Sequence, residues 1–180
     1  SGEVWFEAAQ SKVQLKAPET EIKVLLDSAV SVGTKTHNAA PYLLARARFL
    51  ESQAKYREAI ADYNQYDSIA RPVAPTFFYT RYQCEMKVRQ WQQALLDIAR
   101  ACYLNPKEPT YFAEWASLDL RVKRYEEGMK AAQACITLAP EYADGYLLLG
   151  IMQCESNNKA EGKKNLEKAK ELGDTRADEY

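Results

Sequence analysis

The side chains best equipped for chemistry in this chain are few and scattered. Four cysteines stand at positions 84, 102, 135 and 154, and the single histidine is His37. A redox CxxC pair or a zinc knuckle needs ligands a few residues apart, and no two of these cysteines are that close. Single thiols are at home in an apolar core. The acidic pairs Asp62 with Asp67 and Glu126 with Glu127 are tied to no nucleophile, base or ligand-spaced histidine. General acid or base catalysis therefore lacks a second site element. These residues predict no metal, no cofactor and no enzymatic activity.

Charge narrows the partners. With 24 basic and 25 acidic side chains the formal charge is -1, without the cationic excess that neutralises a phosphate backbone. Basic clusters occur at Arg121, Lys123 and Arg124 and at Lys159, Lys163, Lys164, Lys168 and Lys170, each with acids close by. Nucleic acid is not a predicted partner. The chain is 47% hydrophobic, enough for a folded domain, and no apolar run is long enough to span a bilayer. It opens at Ser1 and Gly2 with neither an initiator Met nor an apolar leader, the pattern of a trimmed terminus. Localisation stays open between cytoplasm and cell envelope.

The elements that carry these residues are revealed by aligning the chain on itself. Trp91, Tyr125 and Lys159 follow one another at 34-residue steps, as do Ala94, Gly128 and Gly162. Tyr56 and Ala59 fall in the same two slots 35 residues earlier, after a one-residue insertion near Arg71 and Pro72. Phe78, Phe112 and Tyr146 form an aromatic series with Leu43 one step before, and Leu104-Asn105-Pro106 recurs as Leu138-Ala139-Pro140. Ala101, Cys135 and Ala169 mark the last turn of each unit.

Within a unit the apolar spacing of three and four predicts two helices, with Pro140 just past the second, where a helix must have stopped. The predicted pairs are 41 to 53 with 55 to 70, 75 to 88 with 91 to 104, 109 to 122 with 125 to 138, and 143 to 156 with 159 to 172. Ala94, Gly128 and Gly162 suit places where two helices approach too closely for a larger side chain. A degenerate pair is predicted from residue 3 to 15 and from Pro18 through Ala29, with Gly33 near its close and a longer connection through His37. The single predicted domain spans 1 to 180: a degenerate pair at 2 to 35, repeats at 40 to 73, 75 to 108, 109 to 142 and 143 to 174, and a truncated cap at 175 to 180. Just before that cap Gly173 reads as a helix-closing glycine and Asp174 as an N-cap.

The series Phe112, Trp115, Tyr125, Gly128, Ala132, Cys135 and Pro140 resembles the tetratricopeptide repeat, well over residues 40 to 172 and weakly over 2 to 39. The resemblance implies an all-α, right-handed superhelical solenoid of antiparallel helix pairs. Its first helices would line a concave groove that receives a peptide or partner protein. One branch of the family grips a terminal carboxylate with Lys, Arg and Asn side chains. Here the corresponding positions hold Ala45 and Arg48, Thr80 and Gln83, and Glu114 and Ser117, with no Asn and with a Glu that repels a carboxylate.

The groove-facing stripe reads as Leu44, Arg48 and Glu51, then Tyr79, Gln83 and Met86, then Ala113, Ser117, Leu120 and Arg121, then Leu147, Ile151 and Cys154. Partner-binding candidates are Arg48, Tyr79, Gln83, Met86, Ser117, Leu120 and Arg121. Tyr79 offers large contact area with a hydroxyl, and Met86 an adaptable surface. The alternative is that this stripe packs against neighbouring helices and the solenoid is a rigid assembly scaffold using its outer helices or chain ends. The tyrosines between residues 56 and 82 suit junction packing, or else an exposed aromatic patch. Arg46 and Arg81 fall where this repeat usually places Leu. Either their stems lie along the core with heads on acids such as Asp62 or Glu85, or the register is one position too deep.

Overall fold

The computed structural model describes residues 1 to 71 and 74 to 180. Pro72, on which part of the expected insertion falls, lies outside the described residues. Ten α-helices follow one another: α1 (Gly2–Gln14), α2 (Glu19–Lys35), α3 (Ala40–Ser52), α4 (Tyr56–Ala70), α5 (Pro75–Lys87), α6 (Trp91–Leu104), α7 (Pro109–Arg121), α8 (Tyr125–Leu138), α9 (Ala143–Glu155) and α10 (Lys159–Glu171). A short 3-10 helix, Thr175–Glu179, closes the chain, and the described residues contain no strand. From residue 40 onward the helix ends agree with the sequence expectation to within one or two positions. Before residue 40 the agreement is poorer, since α2, expected to end at Ala29, runs on to Lys35. Gly33 lies inside it, at a close approach where a Cβ would come within 2.9 Å of the Ala39 Cα.

Four of the hairpins turn in the same way. Ala54, Arg89, Lys123 and Asn157 adopt left-handed backbone, with φ of 56°, 61°, 61° and 64°. In three of them the next amide donates back to the last turn of the preceding helix: Lys55 to the Leu50 carbonyl, Arg124 to Asp119 and Asn158 to Gln153, each at 2.8 Å. This is a Schellman closure, built here on residues other than glycine. Each residue in that conformation costs on the order of 1 kcal/mol, which the packing of the paired helices offsets.

The chain divides into two compact units, Ser1–Val73 with Gln83–Arg89, and Ala74–Tyr82 with Gln90–Tyr180. In the first, Ala29, Val30, Ala39, Tyr42 and Leu43 form one core cluster, and Ala9, Ile22 and Leu26 form a second. In the second unit, Ala116, Ala132, Cys135, Leu149 and Met152 pack between α7, α8 and α9. Helices α9 and α10 meet through glycines, because a Cβ on Gly150 would lie 2.8 Å from the Gly162 carbonyl oxygen, and the reverse holds for Gly162. The small residues of the repeat therefore mark close helix crossings.

The two arginines in leucine slots lie along the core with their heads paired. In the first unit Arg46 donates to both Asp62 oxygens at 2.7 Å and to Asp27 at 2.9 Å. In the second, Arg81 donates to both Asp97 oxygens at 2.6 and 2.8 Å. Asp62 matches the expectation, whereas Asp97 is a partner the sequence reading did not name. In the α7–α8 pair the same two slots hold Trp115 and Ala131, so one bulky aromatic replaces an ion pair.

Candidate functional site

The first unit carries an apolar cleft of about 590 Å³ between α1 and α3. It is built from helix periodicity. On α1, Phe6, Ala9, Gln10, Val13 and Gln14 share one face, and on α3, Ala45, Arg48, Phe49 and Ser52 do the same. Leu26 of α2 closes the floor together with buried Ala9. The size lies within the range of sites that enclose small ligands or side chains of a peptide, which runs from about 300 to 1,000 Å³.

One cation stands on this apolar wall. Arg48 is exposed and has no hydrogen bond or ion pair among the described residues. Its neighbourhood on the far side is already satisfied, because the buried Tyr63 hydroxyl donates to Glu51 Oε2 at 2.7 Å. Burial pushes the Tyr63 pKa up, the bonded Glu51 carboxylate adds to the rise, and the Arg48 charge draws it down. The cleft thus offers apolar area with one cationic contact at its edge. Its one lining hydroxyl, Ser52 Oγ, donates to the Phe49 carbonyl at 2.7 Å, and no His, Cys, Asp or Glu is among the lining residues.

The second unit carries a smaller, polar pocket of about 130 Å³ between α7 and α9. Ala113, Glu114 and Ser117 come from α7, and Tyr142, Asp144 and Leu148 from the start of α9, with Arg176 of the 3-10 helix at its edge. Glu114 Oε2 accepts from the buried Tyr82 hydroxyl at 2.9 Å. Arg176 reaches Asp144 and also donates to Asp174 through Nε at 2.9 Å and Nη2 at 2.6 Å. The Arg176 bond holds the Asp174 carboxyl below its ordinary range.

The residues singled out from the sequence take different positions. Arg48 lines the cleft, and Gln83 and Met86, in the same unit, are exposed and half-buried respectively. In the second unit half-buried Tyr79 stacks on Tyr82 at 5.8 Å and meets Tyr111 in a tilted contact at 4.8 Å between ring centroids. Ser117 lines the polar pocket. Leu120 packs against two apolar clusters, and Arg121 lies over the Trp91 ring at 5.6 Å. Leu147 and Ile151 of the expected stripe are covered, packed with Ala177 of the closing 3-10 helix. His37 is an exposed loop residue with φ of 57°.

Sequence reasoning missed Phe6, Ala9, Val13, Leu26 and Phe49 as lining residues. Phe6, Ala9, Val13 and Leu26 fall before residue 40, where the weak repeat left no register to say which face they occupy, whereas Phe49 lies in the phased part and was left off the expected groove stripe. Among the described residues no three His, Cys, Asp or Glu side chains cluster so as to hold a metal ion. None of the helices is long and apolar enough to cross a membrane.

The order of helix pairs matches solved structures closely. YrrB, described as a TPR protein with an unusual peptide-binding site, superposes with a TM-score of 0.81 at 17% identity, over 96% of this chain and 87% of that one. MamA superposes with a TM-score of 0.79 at 14% identity, over 98% and 94%. The MamA fragment from Desulfovibrio magneticus RS-1 gives 0.74 at 17% identity, over 95% and 94%. No protein-family model matches the chain. Among curated proteins, U-box domain-containing protein 70 of Oryza sativa subsp. japonica is 31% identical over 72 residues, which is 40% of this chain. That match spans only 9% of the rice protein. The fold is that of the tetratricopeptide-repeat proteins, an all-α solenoid of antiparallel helix pairs.

Proposed function

We propose that this chain is a non-enzymatic protein-interaction module that captures a segment of a partner protein on the face of its first helices. The observation that carries this reading is the α1–α3 cleft, whose apolar walls and single uncompensated cation suit a segment bearing a large apolar side chain next to a carboxylate. Arg48 supplies the charge. Gln83 and Met86 in the first unit, and Tyr79, Ser117, Leu120 and Arg121 in the second, are further contacts within their own units. The fold supports the reading as a class, since YrrB is a repeat protein of this architecture with a peptide-binding site.

A second reading has its own observation. On α6, Leu96 is 71% exposed and Tyr103 is 84% exposed, and their spacing of seven places both on one face. Such a face suits assembly through the outer helices.

Selection of displayed random peptides against the whole chain separates the two. On the first reading, enriched peptides carry an apolar residue beside Asp or Glu, and they lose binding to Val13→Asp and Arg48→Glu. Both positions are exposed, so the substitutions leave the core intact. Loss with Leu96→Asp and Tyr103→Asp instead, and retention by the cleft variants, overturns it in favour of the scaffold.

A further inference from the structure

The polar pocket between α7 and α9 is lined by acids and edged by the chain's own arginine. Glu114 and Asp144 bring two carboxylates to its wall, and Asp174 brings a third to the guanidinium beside it. Arg176 is the single cation among the lining residues. Only one Glu114 oxygen is engaged, by Tyr82, so Oε1 remains an acceptor with no hydrogen bond from the described residues. Ser117 and Tyr142 add neutral polar groups, and Leu148 adds an apolar wall for an alkyl stem. The space left, about 130 Å³, equals roughly four waters' share of liquid volume, enough for a guanidinium or ammonium head.

Arg176 itself shows what this wall accepts. Its guanidinium sits on Asp144 from a five-residue 3-10 helix whose apolar anchor is Ala177. Yet its side chain is 60% exposed, so it lies across the edge without filling the pocket. A contact of that exposure is weakly held and can be withdrawn.

We infer that the α7–α9 pocket is a subsite for an arginine or lysine side chain of a bound peptide, and that Arg176 is an intramolecular competitor for its carboxylates. The inference rests on the reading of the first-helix face as the peptide-binding surface, and adds the charge of what that face accepts in the second unit. A tethered side chain competes at an effective concentration in the millimolar range, so the subsite is masked against weak single contacts and opens to a peptide held elsewhere as well.

The test uses the full chain, wild type and Arg176→Ala, titrated with acetyl-Gly-Arg-Gly-amide and with the same peptide carrying citrulline in place of arginine. Binding is read from amide shifts of Ala113, Ser117 and Leu148, with thermal melts confirming that the variants are folded. The arginine peptide is expected to bind Arg176→Ala about tenfold more tightly than wild type. Citrulline, which keeps the shape and lacks the charge, gives no such gain, and adding Asp144→Asn removes it. Equal affinity of the arginine peptide for wild type and Arg176→Ala overturns the inference, as does equal binding of the two peptides. Peptides selected for the α1–α3 cleft bind wild type and Arg176→Ala alike. If they fail at the cleft, the proposed function falls instead.

Discussion

Arg81 and Asp97, 16 residues apart, are joined by two hydrogen bonds of 2.6 and 2.8 Å inside the second unit. Arg46 and Asp62 repeat the pairing at the same separation in the first unit. Two parallel N–H to oxygen bonds fix a guanidinium against a carboxylate with little freedom. The Arg81 side chain is 9% exposed and that of Asp97 is 7% exposed, so neither charge has water to fall back on.

Breaking that pair from one side is therefore costly. Arg81→Leu leaves the Asp97 carboxylate buried without its guanidinium and is expected to lose about 3–5 kcal/mol in denaturant unfolding. Replacing both, as Arg81→Leu with Asp97→Leu, is expected to restore most of the loss, because the α7–α8 pair already works with Trp115 and Ala131 in these slots. A double variant as unstable as the single one contradicts this account.

Asp119 is the opposite case, a fully buried carboxylate whose two oxygens have no hydrogen bond of good geometry among the described residues. Its nearest cation is Arg124, with Nε 3.6 Å from Oδ1. Burial raises its pKa from 3.8 to about 6; Arg124 draws it down, Glu127 pushes it up and Trp115 draws it down. A folded value above the unfolded one means that the neutral form is favoured in the fold. The cost of its charge is then absent below pH 3.8, grows as pH rises toward about 6 and stays constant above. Leu50 occupies the matching slot in α3. Asp119→Leu is expected to gain on the order of 2 kcal/mol more at pH 7 than at pH 3.5, read as the difference in unfolding free energy between variant and wild type. A gain independent of pH contradicts the assignment.

The crossing of α9 and α10 sets a steric limit. A Cβ on Gly162 would lie 2.8 Å from the Gly150 carbonyl oxygen and would also collide with the Cys154 sulfur. The backbone oxygen cannot move aside without shifting the helix. Gly162→Ala is expected to destabilise by about 1–3 kcal/mol despite the better helix propensity of alanine. Thermal unfolding of the variant checks this, and a raised melting temperature contradicts it.

The thiols differ in access. Cys84, Cys102 and Cys135 are buried, and desolvation lifts their pKa values to about 12, about 12 and about 11. Thiolate is the reactive form, so these three are expected to be inert in the folded chain. Cys154 is partly exposed. Titration with an aromatic disulfide reagent at pH 8 is expected to label one thiol at once and the other three only on unfolding.

Much of this architecture was legible because the repeat fixes one residue class per slot. The series Ala94, Gly128 and Gly162 announced the close crossings, and Phe78, Phe112 and Tyr146 set the phase of the first helices. The hairpin closures were not legible in the same way. Ala54, Arg89, Lys123 and Asn157 share a left-handed backbone but no side-chain type, and none is the glycine that usually signals it. The partner of Arg81 was missed although Asp62 was named, because the 16-residue step across the hairpin from Arg46 to Asp62 was not carried to the next repeat, where it falls on Asp97. Of the site, Arg48 was read from helix phase, whereas the α1 wall of the cleft belongs to a pair too degenerate to be phased. The covering of Leu147 and Ile151 depends on Ala177, a small residue with no pattern to announce it.

The central claim, capture of a partner segment on the first-helix face, is tested most directly by locating a selected peptide on the chain. Amide shifts on titrating the peptide into the labelled protein are predicted to concentrate at Ala9, Val13, Ala45 and Arg48, and to vanish in Val13→Asp. Shifts confined to the outer face of α6 around Leu96 and Tyr103, unchanged in Val13→Asp, would contradict it.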